Sequence, residues 1–129
     1  MTEGIKYDSG KPRLAEMFWD FRTSLIEVCK VWTFGANKYE KSNWKKVTNP
    51  VDRYTNALVR HLLAEIHEQY DPESNLRHAA HVAWNALARL YFILLHDEKE
   101  AAKRAEFVQL KLGLEYDDVK KEEEKCPSK

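Results

Sequence analysis

The sequence predicts an all-α fold, and three observations carry that expectation. Apolar residues recur every three or four positions along most of the 129-residue chain. No segment shows the apolar–polar alternation of a half-buried strand, and no internal repeat occurs. Only four glycines and four prolines are present, and they fall near the ends of the periodic segments. With 43% hydrophobic residues and four tryptophans, the chain has material for one core.

The elements follow in order. An opening loop, Lys6-Tyr7-Asp8-Ser9-Gly10-Lys11-Pro12-Arg13, has no apolar period. Leu14, Phe18, Phe21, Leu25, Val28, Val31 and Trp32 then keep helical spacing up to Gly35, where the helix is expected to stop. A polar connection over 36–49 contains Lys38-Tyr39 and Asn43-Trp44. Asn49-Pro50 reads as a cap followed by a proline in the first turn, opening a helix to about Tyr70. Asp71-Pro72-Glu73-Ser74-Asn75 breaks it, with Glu73 or Ser74 suited to cap the next helix. That helix is expected over 76–96, followed by a charged amphipathic one over 97–112 that Gly113 closes. Residues 1–113 thus form one domain, and 114–129 a charged, flexible tail.

Charge excludes some partners. Lys+Arg and Asp+Glu balance at 21 each, so no bulk field draws the chain to a nucleic-acid polymer or a membrane. The longest apolar stretch, 79–95, is interrupted by Asn85 and Arg89 and reads as a buried helix, and no basic-then-apolar leader opens the chain. Cys29 and Cys126 lie too far apart in sequence to suggest a disulfide framework, which suits the cytoplasm.

Chemistry concentrates on the helix over 76–96. Its circumference is apolar almost everywhere, and into it are set His78, His81 and Asn85 at i, i+3, i+7, one narrow polar stripe. Buried polar groups need partners, so the stripe is either a packing network or a site. On the preceding helix His61, Glu65 and Glu68 fall at i, i+4, i+7, and Glu65 and Glu68 form an E-x-x-E. The break between the two helices adds Asp71 and Glu73. Folding the two helices back on each other brings His61 and Glu65 near His78 and His81, a cluster suited to a metal ion or to phosphate.

The run RHLLAEIHEQYDPESNLRHAAHVAWNAL, with KYDSGKPRL, TFGANKY and NW before it, resembles the small phage family of dATP/dGTP diphosphohydrolase N-terminal domains. That family is similar to the MazG-like, all-α nucleoside triphosphate pyrophosphohydrolases. The resemblance spans residues 5–95. It implies an antiparallel helical bundle that forms a homodimer or homotetramer, and hydrolysis of a purine deoxynucleoside triphosphate to monophosphate and pyrophosphate with Mg²⁺ or Mn²⁺. The host cytoplasm is then its setting.

The carry-over is incomplete. MazG-like sites pair E-x-x-E on one helix with E-x-x-D on the next, four carboxylates for hard cations. Here His78 and His81 stand where the second pair would be. Imidazoles favour Mn²⁺, Co²⁺ or Zn²⁺, so the expected ligands are drawn from Glu65, Asp71, Glu73, His78 and His81, with His61 or Glu65 as the base that activates water. Lys11 and Arg13, beside Gly10 and stiffened by Pro12, are candidates for phosphate, as are Lys38 and Arg60. Tyr7, Trp44 and Trp84 are candidates to stack on a base, with Asn85 alongside. The alternative for the loop is a strap across the bundle in which Asp8 pairs with Arg13. The alternative for the chain is a non-catalytic phage protein that sequesters a nucleotide in the same pocket. A blander one is a helical dimer whose polar stripe only fixes register. A central helix that is apolar all round needs more cover than about four helices give, so Trp32, Phe34, Tyr91 and Phe92 are candidate intersubunit contacts.

Overall fold

A computed structural model describes residues 2–125; for 114–125 the backbone alone is described. The architecture is helical, with α1 (Leu14–Asp20), α2 (Arg22–Lys38), a short 3-10 turn (Asn43–Lys46), α3 (Pro50–Ala64) and α4 (His78–Lys125). Among the described residues the only β pairing is an isolated antiparallel bridge between Tyr70 and Arg77. α3 lies mainly on α4, and α2 packs on α4 beside it.

Several boundaries differ from the sequence expectation, each for a local reason. α2 passes through Gly35 to Lys38, since a single glycine costs a helix only about 1 kcal/mol and Ala36, Asn37 and Lys38 follow it without a break. Phe21, at φ −96° and ψ 14°, separates α1 from α2. The helical bonds Phe21 N–H to Met17 O (3.0 Å) and Leu25 N–H to Phe21 O (2.8 Å) persist on either side, so α1 prolongs α2 rather than folding back. The expected helices over 76–96 and 97–112 are one helix, because Glu98, Lys99, Glu100 and Ala101 are helix formers and no proline intervenes. Gly113 does not close it; α4 continues to Lys125. Residues 126–129, the end of the expected tail with Cys126, lie outside the described residues.

The largest shift is at the end of α3. The helix stops at Ala64, not near Tyr70, and its last turn tightens through Ile66 N–H to Leu63 O and His67 N–H to Ala64 O. The chain leaves the helix because the backbone of 69–78 closes a hairpin instead. His78 N–H reaches Gln69 O at 2.9 Å, and Asp71 N–H reaches Leu76 O at 2.8 Å. Asn75 supplies the left-handed residue, at φ 57°, that the turn needs. Arg77 also reaches Gln69 Oε1 and lies over the Tyr70 ring.

α3 and α4 then run in opposite directions. His61 stacks on His81, Arg89 Nε donates to Thr55 Oγ1 at 2.9 Å, and Tyr54 stacks on Phe92, so falling numbers on one helix meet rising numbers on the other. Within this frame Trp44 wedges the 3-10 turn against α4, edge-on to Trp84, Tyr91 and Phe92. Tyr54 donates its hydroxyl to Trp44 O at 2.8 Å and fixes the turn to α3. Among the described residues the buried hydrophobic ones are few: Val31, Ala80 and Ala88. The other buried side chains are His78, His81 and Asn85, at 4%, 7% and 5% exposure.

Candidate functional site

The hairpin and the start of α4 assemble a compact polar cluster. Asp71 is its anchor: one carboxylate oxygen accepts both the Ser74 N–H (2.9 Å) and the Ser74 hydroxyl (2.8 Å). A carboxylate only accepts, so Ser74 has spent its proton. Its oxygen is then an acceptor for His81 Nε2, 2.7 Å away. The His81 proton therefore sits on Nε2 in the neutral ring, and that nitrogen is committed to Ser74. His81 Nε2 also lies 3.8 Å from the Asp71 carboxylate.

His61 reaches in from the last turn of α3. Its Nδ1 is 2.9 Å from His78 Nδ1, one ring donating and the other accepting, and its ring lies 4.3 Å from the His81 ring, nearly parallel. Burial, with His81 beside it, pushes the His61 pKa down to about 4. Burial likewise lowers His81, against the pull of Asp71. Burial pushes the Asp71 carboxyl up, but the two Ser74 hydrogen bonds and the facing imidazoles outweigh it and hold the group below its usual value. Burial thus favours the neutral forms of His61 and His81 beside the Asp71 carboxylate.

His61, Asp71 and His78 each present a ligand atom, all within 4.8 Å of one another. The 2.9 Å between the two imidazole nitrogens is close to the roughly 3.3 Å that two nitrogen ligands adopt around a tetrahedral ion. Two imidazoles and a carboxylate suit Zn²⁺, Co²⁺ or Mn²⁺ better than Mg²⁺. The donor set fits a divalent transition-metal ion.

The other residues singled out in the sequence fall in different places. Glu65 follows the last residue of α3 and is exposed, and Glu68 is exposed beyond it, so the E-x-x-E is not one helical stripe. Glu73 is not among the converging ligand groups and pairs with Lys38 at the end of α2, whose ammonium it holds above its usual pKa. Ser74 serves Asp71 and His81 rather than capping α4. Tyr7, Lys11 and Arg13 are exposed; Arg13 pairs with Glu16, not Asp8. Trp84 and Trp44 pack edge to face.

Next to the cluster lies a cavity of about 360 Å³, walled by Trp32, Tyr39, Trp44 and Trp84 with Arg60 and Asn85 among the polar groups. Arg60 precedes His61, and Asn85 lies one turn beyond His81, so cavity and cluster share both helices. Asn85 Nδ2 donates to His81 O at 2.8 Å. A backbone carbonyl only accepts, which fixes the amide orientation and leaves Oδ1 as an acceptor. Ser74 as the link between Asp71 and His81 was not among the residues expected from the sequence; the D-x-x-S spacing of an Asx turn was its signal.

The fold and the site together define an all-helical protein with an imidazole–carboxylate cluster beside an aromatic cavity. Residues 1–103 match the family described as dATP/dGTP diphosphohydrolase, N-terminal, and the chain belongs to that family. Neither the curated proteins nor the solved structures contain a match to it.

Proposed function

We propose that the chain is a metal-dependent diphosphohydrolase of purine deoxynucleoside triphosphates, cutting them to monophosphate and pyrophosphate. The observation that carries the reading is the convergence of His61, Asp71 and His78 beside the aromatic cavity in a chain of this family. Those three residues would hold the ion, which when bound supplies Lewis-acid stabilisation of phosphate oxygens and lowers the pKa of water. The chain's own groups do the rest. Ser74 and His81 lock the Asp71 carboxylate in place. Arg60, in the cavity wall, faces the phosphate chain, and Lys38 exchanges Glu73 for phosphate when substrate arrives. The base stacks among Tyr39, Trp44 and Trp84, and Asn85 Oδ1 accepts a hydrogen bond from an amino or ring N–H of the purine. Water attacks the α-phosphorus, the bond to the β-phosphate oxygen breaks, and pyrophosphate leaves. Glu65, one turn beyond His61 and open to solvent, takes the proton from that water.

We also assign the chain to the cytoplasm, in keeping with the exposed free thiol of Cys29, and to a MazG-like bundle completed by oligomerisation. No helix among the described residues is long and apolar enough to cross a membrane. Its solvent-accessible surface is 11446 Å², against about 7,100 Å² for a compact monomer of this mass. Leu87, Leu90 and Leu94 on α4 and Leu62, Leu63 and Ile66 around the end of α3 remain about half exposed or more, a ready contact for another copy.

The single carboxylate among the three ligand groups favours a second reading, binding of the nucleotide without turnover. Pyrophosphate release from dATP and dGTP, with Mg²⁺, Mn²⁺ or Co²⁺, separates the two. Turnover that His78→Ala abolishes supports the hydrolase; tight binding with no turnover under any metal supports the sequestering protein.

A further inference from the structure

The opening loop is well formed but stands where it does no work for its own site. Gly10, at φ 77°, and a backbone bond from Lys11 N–H to Asp8 O (3.1 Å) fold it into a turn. The loop precedes α1, which prolongs α2, and α2 meets the hairpin at its far end, where Lys38 pairs with Glu73. The 17 residues of α2 alone set about 24 Å between those ends. Lys11 and Arg13 are therefore remote from the His61–Asp71–His78 cluster of the same chain.

Among the described residues, two surfaces around this arm lack a partner. On α1, Met17, Phe18 and Trp19 are 56%, 66% and 66% exposed, and no residue of that helix is buried. On the outer flank of α2, Ile26, Cys29, Lys30, Thr33, Phe34 and Asn37 line a shallow groove of about 430 Å³. Their i, i+3, i+4, i+7, i+8, i+11 spacing is one helical stripe, the shape that another helix fills. The groove ends at Ser74 and Leu76, so it runs up to the serine that holds Asp71 and His81.

We infer that a second copy lays its α1 along this α2 stripe and that its opening loop thereby delivers Lys11 and Arg13 to the first copy's cluster. The geometry is self-consistent under a two-fold axis. Two α2 helices packed antiparallel place the N-terminal end of one against the C-terminal end of the other, and the C-terminal end is where the cluster lies. The surface of 11446 Å² is about 4,300 Å² above that of a compact monomer, more than enough to supply the roughly 1,000–2,500 Å² per copy that obligate dimers bury. A monomer would also leave four large apolar side chains of α1, Leu14 with Met17, Phe18 and Trp19, in water. The inference rests on the cluster being a triphosphate site, whether or not it turns over.

Two experiments test it. The first pairs a Lys11→Ala/Arg13→Ala chain with a His78→Ala chain, each carrying its own tag, and isolates the mixed assembly through both tags. Calorimetry with a non-hydrolysable purine deoxynucleoside triphosphate and Co²⁺ counts the sites, and pyrophosphate release from dGTP is followed in parallel. Delivery between copies gives the mixed dimer one complete site of two, about half the wild-type number, while each parent assembly is at least about tenfold weaker. A mixed assembly no better than its parents overturns the inference. Binding restored without turnover sustains it and removes the hydrolase reading instead. The second experiment is Met17→Glu/Phe18→Glu, read by light scattering and Co²⁺ binding. A smaller assembly than wild type with Co²⁺ binding retained supports the inference; an unchanged mass, or a wild-type monomer near 15.2 kDa, overturns it.

Discussion

The junction of α3 and α4 and the arm formed by the opening loop and α1 use their residues in opposite ways. At the junction, polar side chains are buried and partnered: Asp71 with Ser74, Ser74 with His81, His61 with His78. Among the described residues no buried side-chain nitrogen or oxygen lacks a partner. In the arm the apolar side chains are the exposed ones, and the one side-chain ion pair, Arg13 with Glu16, is a surface pair of small energetic weight. Burying a partnered polar group gains little stability over leaving it in water, whereas burying Phe18 or Trp19 gains about 2 kcal/mol or more each. One chain thus spends its burial on chemistry and leaves apolar area unspent. The junction is satisfied within a copy; the arm, on the inference drawn above, is completed by a second copy.

Breaking the junction has the largest expected effect. Asp71→Asn keeps the size of the side chain and an acceptor for Ser74 but removes the charge among the imidazoles. Pyrophosphate release should fall by about 100-fold or more, while the melting temperature drops by only a few degrees. A variant with nearly wild-type turnover would show that the carboxylate does not hold the ion.

How much of this was legible in the sequence follows the same division. The stripe of His78, His81 and Asn85 was readable because helical spacing alone puts them on one face, and the apolar ring around them signals burial. The all-helical class was readable for the same reason. What stayed hidden was set by the hairpin. No local pattern told that Gln69 O would take the His78 N–H, and that bond ends α3 at Ala64 and carries Glu68 away from His61. Glu73 and Lys38 lie 35 positions apart, and the packing of α2 against the hairpin pairs them. Gly113 looked like a stop because glycine commonly follows a helix, yet nothing after it competes with helix.

The arm supplies the next sharpening. If its apolar face is buried only between copies, stability depends on mass action. The melting temperature should rise by several degrees as protein concentration increases about 100-fold. A melting temperature independent of concentration would put the arm and the junction on the same footing.

Acid should strike the junction first. The His61 pKa lies near 4 in the folded chain and near 6.5 when unfolded, so between those values the unfolded chain binds more protons. Stability is fully present above about pH 6.5 and is lost as pH falls towards 4. Thermal melts across that window, compared with His61→Gln, should show a steeper decline for wild type. Parallel declines would remove the buried imidazole as the cause.

Asn85 sets the smallest effect. Its Nδ2 shares a carbonyl that already serves the helix, so Asn85→Ala should cost about 1 kcal/mol of stability or less. Asn85 lines the cavity, and with Oδ1 as its base-recognising acceptor the preference for dGTP and dATP over dTTP should narrow by about tenfold in the variant. An unchanged preference would take Asn85 out of base recognition.

The central claim is that His61, Asp71 and His78 form one metal site, and Co²⁺ titration followed by visible absorption tests it most directly. The account predicts one Co²⁺ per chain, with the intense visible bands of low-coordinate cobalt, in wild type and in Asn85→Ala, and their loss in His78→Ala. A wild-type chain that takes up no Co²⁺, or a His78→Ala chain that binds it with the same affinity and spectrum, would contradict it.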